Sequence, residues 1–371
     1  MTRIRAIELR LVGLPLVRPF RTSFGEETEK VCVLARVETD DAWGWGECVT
    51  GADPGFSGEF NEGAWLVLRD FLAPALFRAG DVEDVEDVED VFTGVRGNPM
   101  AKATLLNAVL DAELRARGVS LAAYLGAERD RVVCGVSVGI APTTGRLLEE
   151  VDGYLAEGYR RIKLKIEPGT DVERVAAVRA AHPETLLSVD ANAAYRLEDE
   201  AVFSALDAFD LLMVEQPLHH EDLVEHAKLQ RSIRTDLCLD ESIRSAADAR
   251  AALELGACRV VNVKQGRVGG LLEAKRVHDA CRALGVPVWC GGMLETGVGR
   301  AANLALAALP GFTLPGDTSA SGRYFAEDLT EPHVLGPDGT MAVPSGPGIG
   351  VDPVPERLAE CTLRLERLEP A

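Results

Sequence analysis

The chain has 371 residues, 47% of them hydrophobic, and its 39 basic against 59 acidic side chains leave a formal net charge of -20. A chain of this length can bury a large core as two or three domains, or as one barrel with an extra unit, and an acidic balance without a basic patch excludes a nucleic-acid partner. No signal pattern precedes the first strand-like run, and the longest apolar run, VVCGVSVGIAP, is too short to cross a bilayer as a helix, so a cytoplasmic chain without membrane association is expected.

In chain order, IRAIELRLVGLPL, KVCVLARVETD and AWGWGECV read as strands of an antiparallel meander, and helical patterns follow over residues 61–117. The glycines of WGWGE read as ordinary turn packing. Within the helical stretch lies DVEDVEDVED, residues 81–90. Its valines suit one face of a helix, but seven crowded acids oppose it, so a fraying segment is expected, and no calcium-loop glycine is present.

From Val132 onward, short runs rich in Val, Leu and Ile recur: VVCGVSVGI, RRIKLKI, TLLSVDAN, DLLMVEQP, DLCLDES, CRVVNVK, VPVWCGG and FTLPGD. Helical patterns opening on Asp, Ser or Gly lie between them. Eight strands alternating with helices at constant spacing predict an α/β chain of the closed (β/α)8, TIM-like type. An open doubly wound sheet is the alternative, but no GxGxxG follows the first strand. GVG at residues 297–299 reads as helix packing. The eight cysteines are scattered without a CxxC pair and read as reduced thiols rather than a zinc site.

RRIKLKI alternates, with Ile162, Leu164 and Ile166 on one side and Lys163 and Lys165 on the other. Lys165, Asp190, Glu215, Asp240 and Lys264 then fall at the C-terminal ends of successive apolar runs, one every 24 or 25 residues, which is one βα unit each time. A single acid at a strand end is usually a turn residue or a helix cap. Three in register would repel one another, and the natural resolution is a hard divalent ion held by Asp190, Glu215 and Asp240, with Mg²⁺ favoured over Zn²⁺. A carboxylate substrate beside such an ion can lose its α-proton to a lysine, provided that a neighbouring ammonium lowers the pKa of that lysine. Lys163 suits the role of neighbour. His219 and His220 read as a solvated loop pair, because the acid set is complete without them.

The motifs RIKLKIEPG, VDAN, EQPL, CLDES, VNVKQGRVGG, VWCGGMLETG and LPGDTSAS, with PFRTSFGEE, GWGEC and GNPMAKA upstream, resemble the enolase superfamily. Within it they are similar to the branch of o-succinylbenzoate synthases and N-acylamino acid racemases, related to muconate lactonizing enzymes. The resemblance implies an N-terminal α+β capping domain over residues 1–125, closed by 326–371, above a barrel over 126–325. It implies Mg²⁺ on Asp190, Glu215 and Asp240, with Mn²⁺ or Co²⁺ able to substitute, and Asn192 and Glu241 just behind these ligands. Lys165 would be the base, Lys264 would face it across the α-carbon, and Lys163 would tune Lys165. Ser137 and the backbone of Gly292, Met293 and Leu294 would line the polar part of a small carboxylate substrate. Phe20, Gly51, Phe56 and Tyr324 would contact its tail, with the loops at 20–26 and 49–60 covering it. A homo-oligomer, as large as an octamer, and a role in menaquinone biosynthesis are further implications.

Some positions depart from the racemase pattern. Gly51 stands where methionine is common, Phe56 where tyrosine is, Tyr324 where phenylalanine is expected, and Leu106 where an acid is. A mandelate-type racemase would carry a histidine in VWCGG, and a dipeptide epimerase would carry Asp-x-Asp at LPGDTS. Neither is present. A muconate-type cycloisomerase shares the lysine arrangement and remains an alternative. Dehydration to o-succinylbenzoate and racemisation of N-acylamino acids need the same residues. The synthase is the favoured role, with racemisation as a second activity. A barrel that binds an anion without turnover is disfavoured, since a pure binder gains nothing from two opposed lysines beside a metal.

Overall fold

The computed structural model describes residues 2–370. Strand β1 (Thr2–Thr22) turns at Ser23 and Phe24 into β2 (Gly25–Thr39), and β3 (Trp43–Cys48) completes the meander that the alternation predicts. Register between β1 and β2 shifts between Pro15 and Phe20, as expected where prolines cannot donate to the ladder. The helix Pro99–Arg117 packs across β3. Gly44 and Gly46 allow this close approach, since a Cβ on either would run into the backbone of residues 104–112.

The acidic repeat is ordered rather than frayed. Strand β4 (Asp81–Val82) pairs with β1, and a helix spans Val85–Phe92. Asp84 caps this helix by accepting from the backbone N–H groups of Glu86 and Asp87. Val85, Val88 and Phe92 are buried on one face, while the first-turn acids complement the helix dipole. Arg276 of a barrel helix donates to Glu89 at 3.1 Å. A buried stripe, a cap and a partnered acid together outweigh the charge crowding.

After β5 (Arg131–Val133) comes the parallel sheet: β6 (Gly135–Val138), β7 (Arg161–Lys165), β8 (Leu186–Asp190), β9 (Val214–Glu215), β10 (Leu237–Leu239), β11 (Val260–Val263) and β12 (Val288–Cys290). Thr143, Asp222, Ser245 and Thr296 cap the following helices through their side chains. The eighth apolar run is not a continuous strand. Gly135 N donates to Gly316 O at 2.7 Å and Asp317 N to Cys290 O at 2.9 Å, so an extended segment bridges both neighbours. Pro315 has no N–H to extend that pairing. The last strands, β13 (Thr340–Ala342) and β14 (Thr362–Leu368), pair with β5 and β1, tying the C-terminal segment to both layers. Among the described residues no helix is long and apolar enough to cross a membrane. All eight cysteines are buried and free.

Candidate active site

In β7 the apolar side chains Ile162 and Leu164 are buried, and the alternation sends Lys163 and Lys165 to the opposite face. Lys165 is the register partner of Asp190, and Asp190 is that of Glu215, so the predicted strand-end residues lie side by side. Gln216 holds the next pair of ends together. Its Oε1 accepts from the N–H groups of Asp240 and Ser242, and its Nε2 donates to Ser242 Oγ at 2.9 Å. Its φ of 35° is a left-handed conformation that costs energy away from glycine.

Each carboxylate is neutralised by cations of the chain. Lys163 donates to Glu215 at 2.8 Å and to Asp317 at 2.7 Å, and lies 3.2 Å from Asp190. Lys165 donates to Asp190 at 2.7 Å and to Asn192 at 2.6 Å. Lys264 donates to Asp240 at 2.7 Å, and Arg267 donates to the other oxygen of Asp240. Burial pushes the Asp190 carboxyl up, but Lys165 and Lys163 outweigh it and hold the group well below the usual carboxylate range. Glu215 goes the other way: burial and the neighbouring charge of Asp190 raise it. For Lys163, burial opposes the charge, yet Asp317, Glu215 and Asp190 keep the ammonium well above its ordinary range. Lys163 is thus committed to three carboxylates.

The donor set of Asp190, Glu215 and Asp240 is all oxygen and wholly buried, which suits a hard divalent ion. One oxygen of Glu241, behind the set, is buried without a hydrogen-bond partner among the described residues. Asn192 joins the two layers, donating to the other Glu241 oxygen at 3.0 Å from a backbone with φ 44°. Ammonium groups supply the neutralising charge, and among the described residues no group of three or more His, Cys, Asp or Glu side chains is gathered as a metal cage. The chemistry of the residues fits the ion, and its arrival would compete with the lysines for the same oxygens.

A cavity opens above this layer, and Lys163, Lys165, Lys264 and Asn192 border it. Ser137, Gly292, Met293 and Leu294 line it from the barrel, Phe20, Gly51 and Phe56 from the meander side, and Tyr324 from the segment after the eighth run. The structure therefore brings all eight predicted lining residues to one cavity. The Ser137 hydroxyl is buried with no partner among the described residues, and Leu294 holds a φ of 55°. Phe24 and Phe56 meet at 5.9 Å over the mouth, and Phe20 meets Tyr324 edge-on at 6.5 Å. Glu241 faces a neighbouring recess with Arg244 and Arg267 instead. His219 and His220 are exposed and stacked at 4.4 Å, as a solvated pair should be.

Residues 6–126 match the mandelate racemase/muconate lactonizing enzyme N-terminal domain, and residues 146–357 match the enolase C-terminal domain-like family. The chain belongs to the enolase superfamily. An N-succinylamino acid racemase from Amycolatopsis sp is 57% identical over 361 residues, covering 97% of this chain and 98% of its own. An o-succinylbenzoate synthase from Geobacillus kaustophilus is 48% identical over 350 residues, covering 94% and 93%. A solved enolase-superfamily structure from Listeria innocua Clip11262 superposes with a TM-score of 0.95 at 39% identity over the full length of both chains.

In this enolase-superfamily chain the meander and the barrel are joined by a carboxylate that the sequence reading took for turn packing. Glu47 accepts from Thr296 N at 3.0 Å, from Thr296 Oγ1 at 2.6 Å and from Gly299 N at 2.9 Å. It sits at the N-terminus of the helix Gly297–Ala307, where backbone N–H groups are unpaired and the dipole favours an anion. The GVG motif is therefore packing, as predicted, with Glu47 against it. Burial pushes the Glu47 carboxyl up to about 7, against the lowering effect of the Thr296 hydroxyl.

Two further groups escaped the sequence reading. Asp317 pairs with Arg161 at 2.6 Å as well as with Lys163. Its place at the end of the eighth run was the available signal. Lys30 borders the cavity from β2, and its signal was a basic residue in step with the buried Cys32 and Leu34.

Proposed function

We propose that the chain is a Mg²⁺-dependent o-succinylbenzoate synthase that also racemises N-acylamino acids. The observation that carries this reading is the placement of Lys165 at the end of β7 and Lys264 just past β11, separated in the sheet by three strands with carboxylates at their ends. In an eight-membered ring this puts the two ammonium groups on opposite sides of whatever lies in the cavity.

A divalent ion on Asp190, Glu215 and Asp240 would supply positive charge next to the substrate carboxylate, with Mn²⁺ or Co²⁺ as substitutes. Lys165 takes the α-proton. Lys264, facing the other side, holds a positive charge against the enediolate during dehydration, and in racemisation returns a proton to the opposite face. In dehydration the proton held by Lys165 is available to the departing hydroxyl, which leaves as water. Ser137 and the backbone at Gly292–Leu294 orient the polar part of the substrate. The aromatic pair Phe24 and Phe56 excludes water above it.

Residues 1–125, with 326–371, act in this reading as the capping domain of a barrel over 126–325. A cytoplasmic homo-oligomer and a role in menaquinone synthesis belong to the same proposal. Racemisation as the main role is the second reading, favoured by the 57% identity to a relative named N-succinylamino acid racemase. Side-by-side kcat/KM values for the o-succinylbenzoate precursor and for N-succinyl and N-acetyl amino acids separate the two. Turnover of none of them, with no exchange of the α-proton in deuterium oxide, overturns both.

A further inference from the structure

Four lysines border the cavity, and they differ in what they touch. Lys163, Lys165 and Lys264 each donate to a carboxylate within 2.8 Å. Lys30, 3% exposed on β2, makes one long hydrogen bond, to Thr50 O at 3.5 Å, and no carboxylate of the described residues lies within 4.0 Å of its ammonium. An ammonium has three donors and is costly to bury unpaired. Glu27 borders the same wall without bonding to it. Burial opposes the charge on Lys30, but Cys32, Glu27, Glu47 and Glu295 outweigh burial and keep it protonated.

We propose that Lys30 is a specificity-determining residue that binds a second carboxylate, at the far end of the substrate's tail, so that the cavity selects dicarboxylates. The lysines at the barrel mouth serve the reacting end. Lys30, carried by the meander, borders the cavity with donors unused and serves the other. The inference rests on the function proposed above and deepens it, naming the tail that the site prefers.

The substrate side gives the first test. An N-succinyl amino acid and its terminal amide differ only in the charge that Lys30 would meet. With the wild-type enzyme the amide is expected to show a kcat/KM about 10- to 100-fold lower, chiefly through KM. Lys30→Met is expected to lower kcat/KM for the acid by a similar factor and for the amide by several-fold less, while Lys30→Arg retains the preference. Equal kcat/KM for acid and amide in the wild type overturns the proposal, as does an equal loss on both in Lys30→Met, which is the mark of a structural role. If the wild type turns over neither compound, the racemisation half of the proposed function fails instead. Calorimetry of o-succinylbenzoate against its succinyl amide then decides Lys30 separately, with tighter binding of the acid expected and equal affinity overturning it.

Discussion

Lys165 and Asp190 are register partners on adjacent parallel strands, and the ammonium donates to the carboxylate at 2.7 Å. The same oxygen of Asp190 lies 3.2 Å from Lys163. A cation binding at that oxygen shares it with two ammonium groups, which would couple ion binding to release of Lys165 for proton transfer through one atom. Exhaustive chelation is therefore expected to abolish turnover, and Mg²⁺, Mn²⁺ or Co²⁺ to restore it. Asp190→Asn is expected to weaken divalent-ion binding by about tenfold or more in equilibrium dialysis. Full activity in the chelated protein would contradict the assignment of the three acids.

Lys165→Ala and Lys264→Ala are each expected to lower kcat by about 10²- to 10⁴-fold, the usual range for a positioned general acid or base. The two should differ in stereochemistry. With one lysine left, exchange of the α-proton in deuterium oxide is expected to persist for one enantiomer of an N-acylamino acid and vanish for the other. Proton NMR of each pure enantiomer reads this out, and unchanged exchange with both would remove the lysines from the mechanism.

Gly51 borders the cavity with an open direction for a side chain, since the nearest atom to a Cβ there is Asp53 O at 3.4 Å and its φ is not in the left-handed region. Gly51→Met should therefore fold with a stability change within about 0.5 kcal/mol and fill the pocket. Substrates with bulky side chains are expected to lose kcat/KM relative to small ones, about 10-fold for the largest. A parallel change across a size series would mean that Gly51 does not bound the side-chain pocket.

Glu47 makes stability depend on pH. Its folded value, about 7, lies above the usual 4.5 of the unfolded chain, so the folded protein holds the proton more tightly. Stability from this group is full below about pH 4.5 and is lost as pH rises through 7, by about 3 kcal/mol at most. Glu47→Gln removes the titration. The Tm of the variant minus that of the wild type is expected to rise by several degrees between pH 4.5 and 8, and a flat difference would show that Glu47 does not carry the effect.

Periodicity and alternation are enough to read the architecture and which charged residues share one end of the sheet. A βα unit of constant length puts Lys165, Asp190, Glu215, Asp240 and Lys264 at one end of the sheet, and alternation decides which face of β7 carries the lysines. These are local rules that any strand must obey. The acidic repeat is helical rather than frayed because the Asp84 cap, the burial of Phe92 with Val85 and Val88, and the distant Arg276 outweigh its crowded charges. The eighth apolar run is a bridged segment rather than a strand, and Pro315 within it has no N–H to donate.

Contacts between segments far apart in the chain could not be read this way. Whether Lys163 is free or paired depends on Glu215 and Asp317, 52 and 154 residues away in the chain and adjacent only once the barrel closes. Glu47 becomes a clamp, and Lys30 a wall of the cavity, only when the meander settles over the strand ends. The sequence by itself determined the repeating unit, the inward face and the chemical identity of the charges, because these follow from backbone geometry. The tertiary structure alone decided which charge neutralises which, and which stays unpaired, because electrostatic pairing depends on distance in space and not along the chain.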